Sequence, residues 1–364
     1  MIKFKKDTYF VILLSALLLM LGVLRVPNVY FQGYLQLLFV GIIVLGFAYI
    51  IYKNTKNIWI SFFLFCSFIS YINPRSSVYT TSQGDKTFLY IILSIIWYFM
   101  ITTNLNKSNI NIILNIFCFI AIINVIYIVL QYYKLDFIRH FKSNNLWISG
   151  LATNSNEISA LLAILISACL RKKWIIFLPM ILIGLIFPKS LTGIVTTGCI
   201  ILIYLFINNK IKLSFIYLLM CIAGIYLFYR YIDKNKGGIR VRYKLWEEII
   251  EIFKNYYLFG YKLGEFKLLS KWDSNIFTID GYTWWRTTHN EYIHGIFEMG
   301  IMVIPILIGY ICYLIKKLIM GLNKVIFCGV LSSCICACFT DVFHKPILAG
   351  FALTWIALAD IDTN

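Results

Sequence analysis

The sequence predicts an all-α membrane protein with about twelve transmembrane helices and one large external loop. Hydrophobic residues make up 60% of the 364-residue chain, and only 13% of the residues are charged. The mean hydropathy is +0.81. Apolar stretches of roughly 17–25 residues, the length needed to cross a bilayer, follow one another along the chain. The short polar breaks between them alternate in charge as the positive-inside rule requires.

The apolar stretches define the predicted spans and one integral membrane domain over residues 1–364. The basic start at Met1 runs into an apolar stretch without a small-residue cleavage site, so we expect a first span and not a cleaved signal. Pro305 falls inside the tenth span, where a proline can kink a helix. The predicted spans are about 8–24, 33–52, 57–72, 87–103, 109–131, 156–170, 174–187, 190–208, 212–229, 290–315, 324–340 and 346–360.

The charges in the loops predict cytoplasmic termini and an external site. Lysines and arginines concentrate in alternate short loops, among them Arg171-Lys172-Lys173. Residues 230–289 form the largest predicted external loop, between the ninth and tenth spans, with eleven Lys and Arg against seven Asp and Glu. Long external loops need not follow the charge rule. We therefore expect the excess of positive charge to serve an anionic ligand and the lipid bilayer, and expect no nucleic-acid partner.

One part of the large loop has helical periodicity. Val241, Leu245, Ile249 and Phe253 recur every four residues between Arg240 and Phe253, with glutamates on the other side. We predict a short amphipathic helix here, lying at the outer membrane surface.

Ionisable residues gather where this loop ends and the tenth span begins. His289 lies at the predicted water–lipid boundary, where an imidazole can accept a proton near neutral pH. Arg286, three residues before His289, and Arg242 and Arg240, across the loop, can approach an anionic ligand, because guanidinium groups match phosphate oxygens. The alternatives are a histidine that only bonds backbone at a helix start, and arginines that reach lipid headgroups.

Further polar residues follow on the tenth span. Glu291, His294 and Glu298 are spaced to share one helix face, which must be buried in protein or line a wet cavity. We interpret Glu298 as a structural carboxylate, with Asn154, Asn156 or an arginine as its partner.

Other residues and motifs give weaker signals. Asp341 and His344 lie at an outer helix end and could be site members or solvated caps. The ten cysteines all occur in apolar runs, which favours packing over disulfides or metal binding. The chain lacks Asp-x-Asp in an external loop and the phosphate-loop, zinc-protease and serine-hydrolase motifs. We therefore expect neither a metal nor an organic cofactor.

Three segments between residues 150 and 300 resemble the O-antigen ligase and polymerase superfamily of bacterial envelope enzymes. His289-Asn290-Glu291-Tyr292-Ile293 with Glu298-Met299-Gly300 is similar to the signature at the end of that family's large periplasmic loop. The run from Arg242 to Phe266, with its spaced glycines, and the segment from Gly150 to Glu157, with its asparagines, are similar to two further family segments.

The resemblance implies a GT-C-like, metal-independent inverting glycosyltransferase of the bacterial inner membrane with a periplasmic active site. His289 would be catalytic, and Arg242, with Arg240, Arg286 and Lys189, would bind the diphosphate of an undecaprenyl-diphosphate-linked oligosaccharide. The supporting residues would be Asn290, Glu291, Glu298, Asn154 and Asn156.

The resemblance leaves polymerase and ligase open as functions. Many ligases carry an arginine where this chain has Lys189, which cannot form a bidentate fork. We therefore expect an O-antigen or capsular polysaccharide polymerase, which joins the glycan to an acceptor sugar of another lipid-linked repeat unit. An O-antigen ligase acting on lipid A-core is the alternative, and a flippase is less favoured because the charges concentrate on one side. A chain-length regulator and a flippase of the same pathway are further expected partners.

Overall fold

The computed structural model describes residues 67, 81–135, 148–152, 154–210, 212, 238–254, 257–258, 260–261, 264, 266 and 288–363. Every regular element within these residues is helical. The helices are α1 (Thr81–Asn104), α2 (Ile110–Tyr132), α3 (Ser155–Cys169), α4 (Leu178–Ile186), α5 (Leu191–Ile207), α6 (Gly238–Phe253), α7 (Glu291–Met299), α8 (Val303–Ile319), α9 (Lys324–Ala337) and α10 (Pro346–Thr363).

The helix bounds agree with most of the predicted spans that fall on described residues. Helices α2, α3, α5, α9 and α10 begin and end within a few residues of the predicted limits. Helix α1 begins at Thr81, inside the segment 73–86 that the sequence assigned to a loop. The first three predicted spans and the ninth lie outside the described residues except for Ser67 and Lys212.

The prediction of one continuous span over 290–315 is wrong. Helix α7 ends at Met299, and Gly300 adopts φ +77°, a left-handed conformation that favours glycine. Helix α8 begins three residues later at Val303. The break therefore lies before Pro305, which is accommodated in the first turn of α8, where its missing N–H needs no partner.

Helix α3 is the centre of the bundle. Every residue of α3 from Glu157 to Cys169 is buried. Its backbone accepts hydrogen bonds from the side chains of Trp355 on α10, which reaches Ile164 O over 3.0 Å, and Ser332 on α9, which reaches Ala163 O over 2.6 Å. Small residues let the neighbouring helices approach closely, because a Cβ on Gly329 would lie 2.2 Å from the Trp355 ring.

Helix α10 separates two groups of polar residues, one before its start at Pro346 and one near its end at Thr363. At one end lie Lys107, which approaches Asp362, and Lys317, whose Nζ is 2.5 Å from Asp360 Oδ1. Lys324 at the same end donates to Asn208 over 3.0 Å. These lysines belong to the loops predicted to be cytoplasmic, and the residues predicted to be external lie at the opposite face.

Within the described part of the chain, two helices are long and apolar enough to cross a membrane. They cover Lys107–Tyr132 and Pro346–Thr363. By length and composition alone this is weak support for a membrane protein, because buried core helices of soluble proteins pass the same test. The count of twelve spans and the single-domain organisation stay predictions.

Candidate active site

A short turn between α9 and α10 gathers the ionisable groups at the external face. We call residues 338–345 the hub turn. Its backbone and side chains contact α3, α6, α7 and His289, which lies two residues before α7. The hub turn therefore joins segments that are far apart in the sequence.

His289 lies beside the hub turn in a strained backbone conformation. Its φ is +53°, which is uncommon outside glycine and is stabilised here by the surrounding contacts. The neighbours Thr288 and Asn290 hold His289 in place. Asn290 N donates to Thr288 Oγ1. The Asn290 side chain caps α7 by accepting from Tyr292 N and Ile293 N. The conformation directs an imidazole that is 30% exposed toward the face of the bundle.

Asp341 of the hub turn lies next to this imidazole. His289 Nδ1 is 3.4 Å from Asp341 Oδ2, and the carboxylate is only 6% exposed. A carboxylate at Nδ1 favours the tautomer that carries its proton there, which makes Nε2 the basic nitrogen. Separations at this long end of hydrogen bonding are common in catalytic pairs without substrate.

Helix α6 brings Arg242 to the same place. Leu245 and Ile249 are buried on Phe266 and Phe297, so the apolar side of α6 packs on protein. Trp246 Nε1 donates to Thr288 O over 2.8 Å and ties α6 to the residue before His289. The predicted amphipathic helix is thus confirmed, while its contact with a membrane surface stays a prediction.

The Arg242 guanidinium bridges α6 to the hub turn. Its Nη1 donates to Phe339 O over 3.1 Å. Burial lowers the pKa of Arg242, and the charge of Asp341 opposes that shift. Arginine stays protonated at neutral pH in either case, and the guanidinium has five N–H donors. Arg242, Asp341 and His289 therefore form a cation, an anion and a base within one small region.

Glu291 fastens the start of α7 to the hub turn. One carboxylate oxygen accepts from Phe343 N over 2.6 Å and from His344 N over 3.0 Å. The other lies 2.8 Å from His344 Nδ1. Burial lowers the pKa of His344, but the negative charges, chiefly that of Glu291, raise it to about 9 in net effect.

The second pair on α7 is formed by His294 and Glu298. His294 Nε2 lies 3.1 Å from Glu298 Oε1, and both side chains are buried. The polar partner expected for Glu298 was an asparagine or an arginine, but the structure pairs it with a histidine of its own helix. The rings of His294 and His344 lie 4.2 Å apart, centre to centre, so the two histidine–glutamate pairs are neighbours.

Helix α3 reaches the hub turn through a third ion pair. Glu157 Oε1 is 3.0 Å from Lys345 Nζ, and the glutamate is almost fully buried. Asn154 begins α3 by accepting from Glu157 N over 2.9 Å, and Asn156 is half-buried in the first turn. Both asparagines therefore belong to the helix start that positions Glu157.

The spaced glycines of the large loop support α7 from behind. Gly260 has φ +70°, and a Cβ there would lie 2.4 Å from the carbonyl of Glu298. A Cβ on Gly300 would lie 2.2 Å from Leu258 O. Backbone hydrogen bonds of 2.7 Å join Tyr261 N to Phe297 O and Ile301 N to Tyr257 O. The loop can pack this closely only because both positions lack side chains.

The predicted site residues separate into four groups, of which Asn154 and Asn156 at the start of α3 are one. His289, Arg242, Asn290 and Glu291 come together at the hub turn, with Glu298 in the adjoining pair. Lys189 is exposed in the turn between α4 and α5, with φ +53°. Within the described residues, no ion pair or hydrogen bond joins its ammonium group to the others. The Arg240 side chain and Arg286 lie outside the described residues.

Asp341 and His344 are the site residues that sequence reasoning left undecided. The sequence shows only that an aspartate and a histidine lie in the short polar break between the last two apolar runs. Only the fold reveals that this break meets the start of α7.

Comparison with known proteins gives no family for the chain. No protein-family profile matches it, and no curated protein matches it at a significant level. The function must therefore be argued from the site.

Proposed function

We propose that the protein is a polytopic membrane glycosyltransferase that polymerises lipid-linked repeat units at the external face of a bacterial inner membrane. The donor is an undecaprenyl-diphosphate-linked oligosaccharide, and the acceptor is a sugar hydroxyl of another lipid-linked unit. The observation that carries the proposal is the meeting of Arg242, Asp341 and His289 at one end of an apolar helical bundle.

The three residues supply what transfer from a lipid diphosphate needs. The acceptor oxygen attacks the anomeric carbon, the bond from that carbon to the diphosphate oxygen breaks, and the lipid diphosphate leaves with the electron pair. His289 takes the acceptor proton. Arg242 stabilises the negative charge that develops on the leaving diphosphate. Direct displacement of this kind inverts the anomeric centre, and in this scheme Arg242 supplies the positive charge at the diphosphate.

Asp341 has a positioning role in this scheme. Its carboxylate holds the imidazole of His289 and stabilises the imidazolium formed when the proton arrives. It also lies close enough to Arg242 to affect the guanidinium electrostatically. One carboxylate can therefore orient the base relative to the diphosphate-binding cation.

A ligase that transfers the glycan to lipid A-core would use the same site chemistry. The acceptor alone differs between the two reactions. Many ligases carry an arginine at the position of Lys189. Lysine is a point charge without a bidentate fork, so we favour the polymerase. A flippase is less favoured because the buried acidic and basic pairs of the external face cluster around the hub turn.

Deletion of the gene followed by complementation tests the proposal. The strains carry wild type, His289→Asn or Lys254→Ala, at membrane levels shown to be equal. Asparagine is chosen because it tolerates the left-handed backbone of His289. Lys254 is exposed just after the end of α6 and pairs with Glu251 of that helix over 2.6 Å, so its variant is the matched control.

The surface glycan on a gel distinguishes the outcomes. A polymerase predicts a core bearing one repeat unit in the deletion and His289→Asn strains, and a full ladder in the other two. Bare core with polymer left on its lipid carrier identifies a ligase. A full ladder from His289→Asn contradicts the catalytic assignment.

A further inference from the structure

A second group of side chains beside the catalytic residues has the composition of a metal site. One ligand atom from each of His294, Glu298 and His344 lies within 4.8 Å of the other two. His294 and Glu298 are one turn apart on α7 and face the same way. His344 comes from the hub turn. The proposed reaction uses none of these three groups.

The pair on α7 already has the spacing of a chelate. His294 Nε2 and Glu298 Oε1 are 3.1 Å apart. Two ligand atoms at zinc distances of about 2.0–2.1 Å, at a tetrahedral angle, are separated by about 3.3 Å. The widest separation in the group, 4.8 Å, exceeds that value by about 1.5 Å. The His344 side chain is 30% exposed, which leaves it room to rotate and close this difference.

Glu291 supplies the outer partner that metal-binding histidines usually have. Its Oε2 is 2.8 Å from His344 Nδ1, while its Oε1 accepts two backbone N–H groups of the hub turn. A carboxylate in this position fixes the ring and its tautomer, so that Nε2 offers its lone pair to the metal.

The group also contains a buried polar atom that lacks a partner. Among the described residues, His294 Nδ1 is buried and has no hydrogen-bond partner. Two carboxylates, Glu291 and Glu298, are almost fully buried around two imidazoles. Buried carboxylates need a compensating cation, and a divalent ion can supply it.

We propose that His294, Glu298 and His344 bind a divalent transition metal, with Zn²⁺ fitting the ligand set best. Two imidazoles and one carboxylate form a known three-ligand zinc set that leaves a fourth position open. The ion fastens the hub turn to α7, and so holds the segment carrying Asp341 against the segment carrying His289. Its role is structural, and the proposal does not rest on the glycosyl transfer.

This proposal departs from the sequence-based expectation of a metal-free protein. That expectation rested on the cysteines and on motifs that are local in the sequence, such as acidic pairs and the zinc-protease motif. The third ligand comes from the hub turn, more than forty residues beyond the other two along the chain. Its approach to α7 is visible only in the fold.

Metal content of the purified full-length protein tests the proposal. The protein is purified in detergent without a histidine tag, stripped with a chelator, and dialysed against Zn²⁺. We expect one tightly bound equivalent in wild type, lost in His344→Gln and in Glu298→Gln. The controls His289→Gln and His140→Gln keep it, and together these variants cover the chain's histidines other than His294.

Absorption spectra with Co²⁺ and thermal midpoints with Zn²⁺ test the proposal even if some variants fold poorly. Wild type loaded with Co²⁺ should show tetrahedral ligand-field bands without a thiolate charge-transfer band, because no cysteine is a ligand. Zn²⁺ should raise the thermal midpoint of wild type and leave that of His344→Gln unchanged. No bound metal in wild type, equal binding in all variants, or a thiolate band would each overturn the proposal. His289→Gln should be inactive yet loaded, so failure of the metal site and failure of the proposed function are distinguishable.

Discussion

Nδ1 of His289 lies 3.4 Å from Oδ2 of Asp341, although three helices separate the two residues along the chain. His289 precedes α7, and Asp341 follows α9. The contact places a nearly buried carboxylate behind a partly exposed imidazole. This arrangement can orient a general base and stabilise its protonated form.

The first prediction concerns this carboxylate. Asp341→Asn keeps the shape of the side chain but removes its charge, so the imidazole loses its tautomer preference and its electrostatic support. We expect transfer to fall by roughly 10²–10⁴-fold, the range of general acid–base effects, with KM for the lipid donor little changed. Asp341→Glu should recover part of the rate. The measurement is glycan transfer by membranes with matched protein levels.

Asp362→Asn is the control for that prediction. Asp362 lies at the opposite end of the bundle, where it accepts from Asn323 N. Its variant should transfer at the wild-type rate. If the Asp341→Asn protein is as active as this control, the carboxylate has no role in the mechanism.

Arg242 gives the second prediction. Arg242→Lys keeps one positive charge and loses the planar fork, so we expect weaker donor binding and a slower reaction than wild type. Arg242→Ala removes the charge as well, and loss of such a stabilising donor commonly lowers kcat by about 10²–10³-fold. Lys254→Ala, at an exposed position just after the end of the same helix, should leave both parameters unchanged. Equal rates for arginine and alanine at position 242 would contradict the diphosphate role.

The backbone at His289 gives the third prediction. Its φ of +53° costs an ordinary side chain about 1–2 kcal/mol, whereas asparagine tolerates this region. His289→Asn should therefore be more stable than His289→Ala, while both are inactive. Asn209 has φ +57° in an exposed turn at the other end of the bundle, and Asn209→Ala should lose stability without losing transfer. Thermal midpoints in detergent make the comparison, and equal midpoints for the two His289 variants would argue against the strain.

The fourth prediction concerns the close approach of the glycine loop to α7. Gly300→Ala combines a φ of +77° with a Cβ 2.2 Å from Leu258 O, so we expect a loss of roughly 1–3 kcal/mol or more and reduced membrane levels. Gly321→Ala shares the positive φ, at +102°, but its Cβ meets nothing within 4 Å. It should be the milder change. Similar losses in both variants would show that backbone strain alone matters.

Most described helices could be predicted because apolar runs and short basic breaks define them directly. Helix α6 was predictable from its periodicity, since Leu245 and Ile249 recur at helical spacing and are both buried. The break at Gly300 was not, because the apolar run continues through it to Val303. What ends α7 is the approach of Gly260, a contact between distant segments that no local pattern contains.

The candidate site was predictable only in part. The composition around His289 and Arg242 identified them as candidates, since ionisable groups near a membrane-spanning helix are costly and usually mark a functional site. Their common neighbour Asp341 was left undecided because it lies in a short break that is equally typical of a helix cap. The partners of Glu291 and Glu298 are histidines, and which histidine meets which glutamate depends on how the hub turn packs on α7.

The most direct test of the central claim is transfer by the purified protein with its own donor. Lipid-linked repeat units are isolated from the deletion strain and added to the protein in lipid nanodiscs. The account predicts that wild type lengthens the glycan and releases one lipid diphosphate for each linkage formed, while His289→Asn does neither. Elongation by His289→Asn at the wild-type rate, or glycan movement without release of lipid diphosphate, would contradict it.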